Sequence, residues 1–255
     1  MKDLYIQHKI VILIPFRNAN KYIVDCVNSI IIQHYSPYEV YLLDDASDDI
    51  LEGQIKKLVE STSNFHYSRN KNRIGALANI YQGLTKISIN DNDIVAIVDG
   101  DDQLFGEHSL SIINFMYNNF SAHLTYGQFI DSYGNTSDIS PYTKDEFKKL
   151  RLSPWKATHL KTFKYSLFKR LLDIDPAVNI LKIDDTNFYP STYDMAIMFP
   201  LMEIAGFEKC ICIPNVLYCY RLHSQNDHAT SEGRRLQIES EEHIRSRSPI
   251  IKYEE

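Results

Sequence analysis

Four strand-like segments alternate with three segments of helical periodicity over about the first hundred residues of the chain. The strand-like segments are KIVILIP, EVYLLDD, FHYSR and DIVAIVD. Asn20 is expected to cap the first helix, and Leu51 is expected to face inward in the second. Continuous apolar runs such as the first and the last are typical of strands buried on both faces. Alternation of such strands with helices predicts an α/β fold. We therefore expect a Rossmann-like, mainly parallel central sheet flanked by helices.

The second part of the chain is less regular. Helices are predicted over HSLSIINFMYNNF, HLKTFKYSLFKRLL and STYDMAIMFPLMEIAG, and Pro200 is expected to kink or end the last one. AHLTYGQFID and CICIPNVLYCYRLH read as strands. The charged segment 231–255 is predicted to be a weakly helical tail.

Composition narrows the class of protein. Hydrophobic residues make up 44% of the chain, enough for a full core, and the formal net charge of -6 argues against a general nucleic-acid binder. No segment reaches the roughly 18 continuous apolar residues of a membrane span. The opening MKDLYIQHK lacks the apolar core of a signal peptide, and the four cysteines lack the C-x-x-C spacing of a zinc site. We expect a soluble, cytoplasmic protein with free thiols.

Polar clusters follow three of the predicted strands. They are PFRN at 15–18, Asp44 with Asp45, and DGDD at 99–102. Because ligands of open α/β sheets bind at the carboxyl ends of the strands, these clusters are expected to share one edge of the sheet. The aspartates of DGDD repel one another unless a cation lies among them.

DGDD has the chemistry of a metal-diphosphate site. Mg²⁺ and Mn²⁺ take one or two protein carboxylates and complete their shell with phosphate and water. Gly100 allows the backbone a sharp turn and close approach to a ligand. Aspartate-rich loops also occur simply as turns and helix caps, so the motif alone leaves both interpretations open.

Two common nucleotide-binding motifs are absent after the first strand. The sequence has no G-x-x-x-x-G-K-[ST] and no G-x-G-x-x-G there. This absence argues against a P-loop NTPase and a Rossmann dehydrogenase. Phosphates would instead be held by a metal and by side chains such as Arg17 or Arg73.

The first 105 residues resemble the family-two glycosyltransferases, which have the GT-A fold. VILIPFRNANKYIVDCVNSIIIQHYSPYEVYLLDDASDD matches the family's opening, and DGDD matches its D-x-D region. RNKNRIGALANIYQGL resembles its N-x-G-x-x-x-A-x-N-x-G helix entry. The residues that carry this last match are Asn72, Gly75, Asn79 and Gly83.

The resemblance implies a nucleotide-sugar donor, most often a UDP-sugar. Pro15 and Arg17 would line its base and phosphate side, and Arg73 would lie near the base or the phosphates. Asp45 would accept a hydrogen bond from the uracil imide. Arg73 could equally be a surface charge.

The same resemblance implies Mn²⁺ or Mg²⁺ as cofactor. Asp102 would ligate the metal, and Asp101 would contact the metal or the ribose. Asp99 is a less certain carboxylate behind them. YRLHSQN at 220–226 resembles the family's closing Y-R-x-H-x-x-N loop, in which His223 would complete the metal shell or touch the diphosphate. An ordinary polar loop is the alternative.

Two later pieces concern the acceptor. STYDMAIMFPLMEIAG resembles the catalytic-base segment, with Asp194 as general base, but Tyr193 stands where the family often has an acidic residue. A helix dipole also favours an aspartate in the first turn, and Asp184 and Asp185 are rival bases. The only tryptophan, Trp155, beside His159 and Lys161, would suit sugar stacking in an acceptor site; core packing is the alternative for Trp155.

Transfer of a sugar to an acceptor hydroxyl, with inversion, is the reaction that the resemblance implies. Glycan, lipid-linked and protein acceptors fit equally, with peripheral membrane association possible and the oligomeric state open. The implied GT-A domain covers 1–230, with a nucleotide-binding half at 1–105 and a smaller acceptor-binding half at 106–230. The alternatives are a sugar nucleotidyltransferase, whose Gly-rich basic signature is missing, and a non-catalytic binding or scaffold domain.

Overall fold

A computed structural model describes residues 5–48, 52–224, 226 and 229–251. Within these residues, one mixed sheet of eight strands forms the centre of the molecule. The strands are β1 Ile10–Phe16, β2 Tyr38–Asp44, β3 Phe65–Arg69, β4 Ile94–Ile97, β5 Gln103–Leu104, β6 Leu124–Asp131, β7 Lys161–Lys164 and β8 Cys210–Tyr220. Their order across the sheet is β3-β2-β1-β4-β7-β6-β8-β5.

The first four strands in sequence form the parallel half of the sheet. β1 pairs in parallel with both β2 and β4, and β2 pairs in parallel with β3. β7 runs antiparallel between β4 and β6, β6 and β8 are parallel, and β5 is antiparallel to β8. The expected α/β class with a mainly parallel central sheet is confirmed.

Helices cover both faces of the sheet. They are α1 Ile23–Ile31, α2 Glu52–Glu60, α3 Ala76–Lys86, α4 Ser109–Asn119, α5 Lys144–Lys148, α6 Tyr165–Ile174, α7 Tyr193–Ala205 and α8 Ser231–Ser246. Successive side chains of a strand point to opposite faces. Leu13 of β1 accordingly joins the apolar cluster with α3, α6 and α7, whereas Ile12 and Ile14 join the cluster with α1 and α4.

Several local predictions were wrong. The segment HLKTFKYSLFKRLL is not one helix, because its first part forms the central strand β7, where Thr162 and Phe163 are fully buried. α7 continues through Pro200 rather than ending there. The N-cap of α1 is Tyr22, not Asn20. Leu51, predicted to face inward, lies outside the described residues.

The charged C-terminal segment forms a packed helix in its described part. The hydroxyl of Thr230 accepts a hydrogen bond from the Gly233 N–H and so caps α8. Ile244 is buried, and its carbonyl accepts a hydrogen bond from Arg151, 2.7 Å away. The division of the chain into two functional halves stays a prediction.

Two further properties concern the cysteines and the helix lengths. Cys26, Cys210, Cys212 and Cys219 are all free thiols, as expected. Among the described residues, no helix combines the length and the apolarity that a bilayer span requires.

Candidate active site

A cleft of about 370 Å³ opens at the carboxyl ends of β1, β2 and β4. Its walls are the residues that follow these strands, the start of α3, the start of α7 and the loop after β8. It brings together nearly all the site residues predicted from the sequence. Those that line it are Pro15, Arg17, Asp45, Arg73, Asp101, Asp102, His159, Asp194 and His223.

The loop after β1 is tied to the loop after β2. The Asn18 backbone N–H donates to Ser47 Oγ at 3.0 Å, and the Asn18 carboxamide oxygen accepts from the Asp48 N–H at 2.8 Å. Arg17 donates to Asp48 Oδ2 at 2.5 Å, while its Nε is buried without a hydrogen-bond partner among the described residues. The Arg17 guanidinium therefore retains a donor that is shielded from water.

The two aspartates after β2 have different partners. Asp44 accepts from the Ser47 N–H and from the Tyr67 hydroxyl, at 2.8 and 2.9 Å, so it braces its own loop. The Asp45 carboxylate accepts from the backbone N–H groups of Ile74 and Gly75, at 2.9 and 2.8 Å. Asp45 thus holds the start of α3 beside the cleft. Within the described part of the chain, Asp45 Oδ2 accepts the Gly75 N–H, and a carboxylate oxygen can accept two hydrogen bonds.

Gly100 is required by close packing. A Cβ atom at this position would lie 2.5 Å from Cβ of Phe16, so any other residue would displace the end of β1. The Gly100 N–H donates to the Pro15 carbonyl at 3.3 Å. The DGDD loop and the PFRN loop therefore form one wall of the cleft.

Asp102 is a buried carboxylate, and one of its oxygens has no hydrogen-bond donor among the described residues. Its side chain is 1% exposed, and Oδ1 accepts from the Arg221 N–H at 2.7 Å. Its Oδ2 finds no hydrogen-bond partner in the described part of the chain. Burial, followed by the charges of Asp99 and Asp101, raises the pKa of Asp102 to about 8. An unpaired buried oxygen of this kind is costly unless a ligand or ion satisfies it.

The remaining carboxylates complete the cluster. Asp101 Oδ2 lies 2.8 Å from Nε2 of His223, so these two predicted metal ligands are paired with each other. Asp99, Asp102 and His159 each offer a ligand atom within 4.8 Å of the others. Hard oxygen donors with one unsatisfied buried atom fit a divalent cation such as Mg²⁺ or Mn²⁺. The geometry adds Asp99 and His159 to the candidate ligands.

Lys161, which the sequence suggests together with His159 as part of an acceptor surface, also lies at the cleft. Its side chain is 1% exposed, yet it lines the cleft, and its Nζ lies 3.1 Å from Nδ1 of His159. Burial raises the pKa of Asp99 to about 6, and the Lys161 charge lowers it in part. The burial of Lys161 in a strand was not predicted, because the segment that contains β7 was predicted to be helical.

The loop after β8 locks onto the DGDD loop. Arg221 donates from Nε to the Asp101 carbonyl at 2.8 Å and from Nη2 to Asp25 of α1 at 3.1 Å. Its guanidinium lies over the Tyr22 ring, and that ring stacks on His223 with 4.8 Å between ring centres. This loop therefore fixes the aspartates from the side opposite to β1.

Asp194 and its two rivals occupy different environments. Asp194 lies in the first turn of α7 and lines the cleft. Asp184 is exposed and accepts from the N–H groups of Thr186 and Asn187 in its own turn, contacts that hold its pKa well below the usual range. Neither Asp184 nor Asp185 is part of the described cleft lining.

The two acceptor-site candidates also separate. His159 lines the cleft and stacks on Tyr218, with 4.5 Å between ring centres. Trp155 is not among the residues that line the cleft; its ring packs edge-on against Phe199 of α7, 5.0 Å away, in the apolar core. The core-packing interpretation of Trp155 is therefore the one that matches its position.

The mainly parallel sheet, with its aspartate cluster at the carboxyl end of β4, belongs to the GT-A class of glycosyltransferase folds. The family model for glycosyl transferase family 2 matches residues 11–175. The chain therefore belongs to glycosyl transferase family 2. No curated protein matches the chain as a sequence.

Solved structures share the fold at low sequence identity. The crystal structure of Staphylococcus aureus TarS 1-349 in complex with UDP-GlcNAc gives a TM-score of 0.63 at 17% identity and covers 88% of this chain. The mannosyltransferase PcManGT from Pyrobaculum calidifontis, in complex with GDP-Man and Mn²⁺, gives 0.58 at 15% and covers 86%. The matches span 61% and 59% of those two chains, so this chain corresponds to only part of each.

Proposed function

We propose that the chain transfers a sugar from a UDP-sugar to an acceptor hydroxyl, in the presence of Mn²⁺ or Mg²⁺. The observation that carries this proposal is the buried, unpaired Oδ2 of Asp102 within a cluster of three carboxylates at the end of β4. Family membership supports it. So do the two structural neighbours, one bound to UDP-GlcNAc and the other to GDP-Man and Mn²⁺.

The base and phosphates of the donor have candidate partners on the β1 and β2 side of the cleft. The free acceptor position on Asp45 Oδ2 suits the imide N–H of uracil, which cytosine lacks. Pro15 would line the base, and the shielded Nε of Arg17 would donate to a phosphate. Arg73, which lines the same part of the cleft, would add a second cation.

The metal would be held by Asp102 and Asp101, with His223, Asp99 and His159 as further candidates. When bound, a divalent cation supplies positive charge against the diphosphate of the leaving nucleotide. For both residues to act as ligands, the contact between His223 Nε2 and Asp101 Oδ2 would have to open. If the contact stays closed, Asp101 could still bind the metal through its other carboxylate oxygen, Oδ1. Electrostatic clamps of this kind are typically the largest single contribution to rate enhancement.

Asp194 is the proposed general base. As the acceptor oxygen bonds to the anomeric carbon, its proton passes to the Asp194 carboxylate and the bond from that carbon to the diphosphate oxygen breaks. Attack from the face opposite to the leaving group inverts the configuration. His159 and Tyr220, which both line the cleft and stack with 5.6 Å between ring centres, form an aromatic surface that a sugar ring could contact.

Calorimetric titration of UDP into the full chain tests the proposal. We expect binding in the presence of Mn²⁺, loss of most of the affinity when a chelator is added, and weaker binding of CDP than of UDP. We also expect the chain to hydrolyse a UDP-sugar slowly when the same metal ion is present. Absence of binding by UDP, GDP and CDP with and without metal would overturn the proposal. Metal-dependent binding without hydrolysis or transfer to any acceptor would favour a non-catalytic binding domain.

Replacement of Asp45 by asparagine is expected to weaken both the fold and the nucleotide site. Asparagine offers only one acceptor oxygen, so one of the two backbone donors from Ile74 and Gly75 loses its partner. Hydrogen bonds to charged groups contribute about 1.5–3 kcal/mol each. We expect the free energy of unfolding, measured by urea denaturation, to fall by the contribution of one such hydrogen bond. We also expect UDP affinity to fall roughly tenfold, equivalent to about 1.4 kcal/mol.

Asp131→Asn is the matched control for Asp45→Asn. Asp131 also braces a loop through backbone donors, the N–H groups of Tyr133 and Asn135, but it lies outside the cleft. Its replacement should not alter UDP affinity. An unchanged UDP affinity in Asp45→Asn as well would refute the assigned contact with the base.

A further inference from the structure

The first turn of α7 is joined to the aspartate cluster by one short hydrogen bond. The Tyr193 hydroxyl donates to Asp99 Oδ1 at 2.5 Å, between residues 94 positions apart in sequence. Asp194, the proposed base, is the next residue along the chain. A contact at Tyr193 therefore controls where the Asp194 carboxylate lies relative to the DGDD loop.

This hydrogen bond matters because α7 begins without a cap of its own. The N-cap residue Thr192 has a left-handed backbone, with φ 52°, and makes no side-chain cap hydrogen bond. Its Oγ1 is buried without a partner in the described part of the chain. The helix start is thus held from outside, through the side chain of Tyr193.

Both members of the pair are anchored further. The Asp99 N–H donates to the Tyr218 hydroxyl at 3.0 Å, which fixes the backbone of Asp99 to β8. The Lys161 ammonium lies 5.4 Å from the centre of the Tyr193 ring, within the range of a cation–π contact. Lys161 also offsets the negative charge of Asp99. Tyr193 therefore lies between a fixed acceptor and a fixed cation.

We propose that Tyr193 is a positioning residue for the general base. Its hydroxyl, bonded to Asp99 Oδ1, sets the distance between Asp194 and the aspartate cluster. This inference rests on the proposed function. A displacement of about 1 Å of a catalytic group can cost about a hundredfold in rate, so a single anchoring bond suffices for a large kinetic effect.

Tyr193→Phe tests the proposal because it removes only the hydroxyl. We expect kcat to fall by about 10- to 100-fold, while KM for the donor and the affinity for UDP stay within a factor of about two. A residue that only maintained the fold or the donor site would change UDP affinity or the melting temperature instead. An unchanged kcat, or a loss confined to donor affinity, would overturn the proposal.

Tyr165→Phe is the matched control. The Tyr165 hydroxyl donates to the Leu84 carbonyl at 2.8 Å, so its removal also deletes one partly buried hydrogen bond, but away from the cleft. Its kcat should equal that of the wild type. If the wild type itself shows no metal-dependent turnover, the proposed function is wrong. If the wild type turns over and Tyr193→Phe turns over equally fast, only the positioning role of Tyr193 is wrong.

A double-mutant cycle with Asp99→Ala identifies the partner, because alanine, unlike asparagine, offers the Tyr193 hydroxyl no side-chain acceptor. If Tyr193 acts through Asp99, adding Tyr193→Phe to Asp99→Ala should lower kcat by much less than it lowers the kcat of the wild type. Multiplicative effects of the two substitutions would contradict the coupling. The cycle remains informative if one single variant is less stable, because each rate is measured on protein whose melting curve shows it to be folded.

Discussion

Replacing Asp102 by asparagine is expected to stabilise the metal-free protein and to remove most of the proposed sugar-transfer activity. In the metal-free state the wild-type chain buries a carboxylate whose Oδ2 has no partner among the described residues, beside two further carboxylates. Asparagine keeps an oxygen for the Arg221 N–H and carries no charge. The substitution should therefore relieve repulsion that only a bound cation relieves in the wild type.

The two effects are measured separately. For a chain of this size each kcal/mol of stabilisation raises the melting temperature by about 2–4 °C. The rate should fall by about 10²- to 10³-fold in kcat, as when one donor of an electrostatic clamp is lost. Asp138→Asn, which changes an exposed aspartate, should leave both unchanged. Near-full transfer by Asp102→Asn would exclude Asp102 as a metal ligand, and a lower melting temperature would contradict the repulsion.

The stabilisation by Asp102→Asn should also grow with pH. The pKa of Asp102 is raised to about 8 in the folded chain, against about 3.9 for an unfolded aspartate. Between these values the folded wild type binds more protons than the unfolded chain, so its free energy of unfolding falls as the pH rises. Metal-free melting curves from about pH 5 to about pH 8 should show a smaller decline for the variant than for the wild type.

Removal of the Arg151 side chain is expected to be among the most destabilising changes outside the cleft. Arg151 and Glu203 are only 5% and 6% exposed and form a two-pronged ion pair, with Nε–Oε1 and Nη2–Oε2 distances of 2.6 and 3.0 Å. A third donor, Nη1, bonds the Ile244 carbonyl of α8. Arg151→Met leaves the Glu203 charge buried, which typically costs 3–5 kcal/mol, or about 6–20 °C in melting temperature.

Two comparisons make the Arg151 prediction specific. Arg235→Met removes an arginine that is 53% exposed and paired with Glu232 and Glu239, and it should cost about 1 kcal/mol or less. Arg151→Met combined with Glu203→Met should recover part of the loss, because no charge is then left buried. UDP affinity at a temperature where the variants are folded should not change. A cost for Arg151→Met no larger than that of Arg235→Met would contradict the prediction.

The spacing of apolar residues along the sequence was sufficient to predict the parallel half of the sheet. Strands β1 to β4 are short and separated by amphipathic helices, and β1, β2 and β4 are largely apolar and buried, so local pattern and tertiary burial agree. The convergence of Asp45 and the DGDD loop in one cleft followed from the parallel order alone, because carboxyl ends of parallel strands share an edge. The segment 159–172 could not be interpreted in this way. Its four-residue strand β7 directly precedes α6, and only the slot between β4 and β6 makes it a strand.

Side-chain partners were beyond the reach of the sequence. Trp155 and His159 are four positions apart and were expected on one aromatic face, yet the first packs on Phe199 and the second lines the cleft. Tyr193 departs from the family pattern, and only the structure shows that its hydroxyl donates to Asp99. Such pairings depend on contacts between distant segments, which periodicity does not encode.

The contact between Asp102 and Arg221 also bears on when the site can form during synthesis. The two residues are 119 positions apart, which a ribosome covers in roughly 6 to 24 s. Throughout that interval β5 has no β8 to pair with, and the aspartates lack the backbone donor and the guanidinium that fix them. A nascent chain can therefore complete β1 to β4 early and still lack an ordered aspartate cluster. Affinity for the proposed cation should then arise as one of the last events of folding.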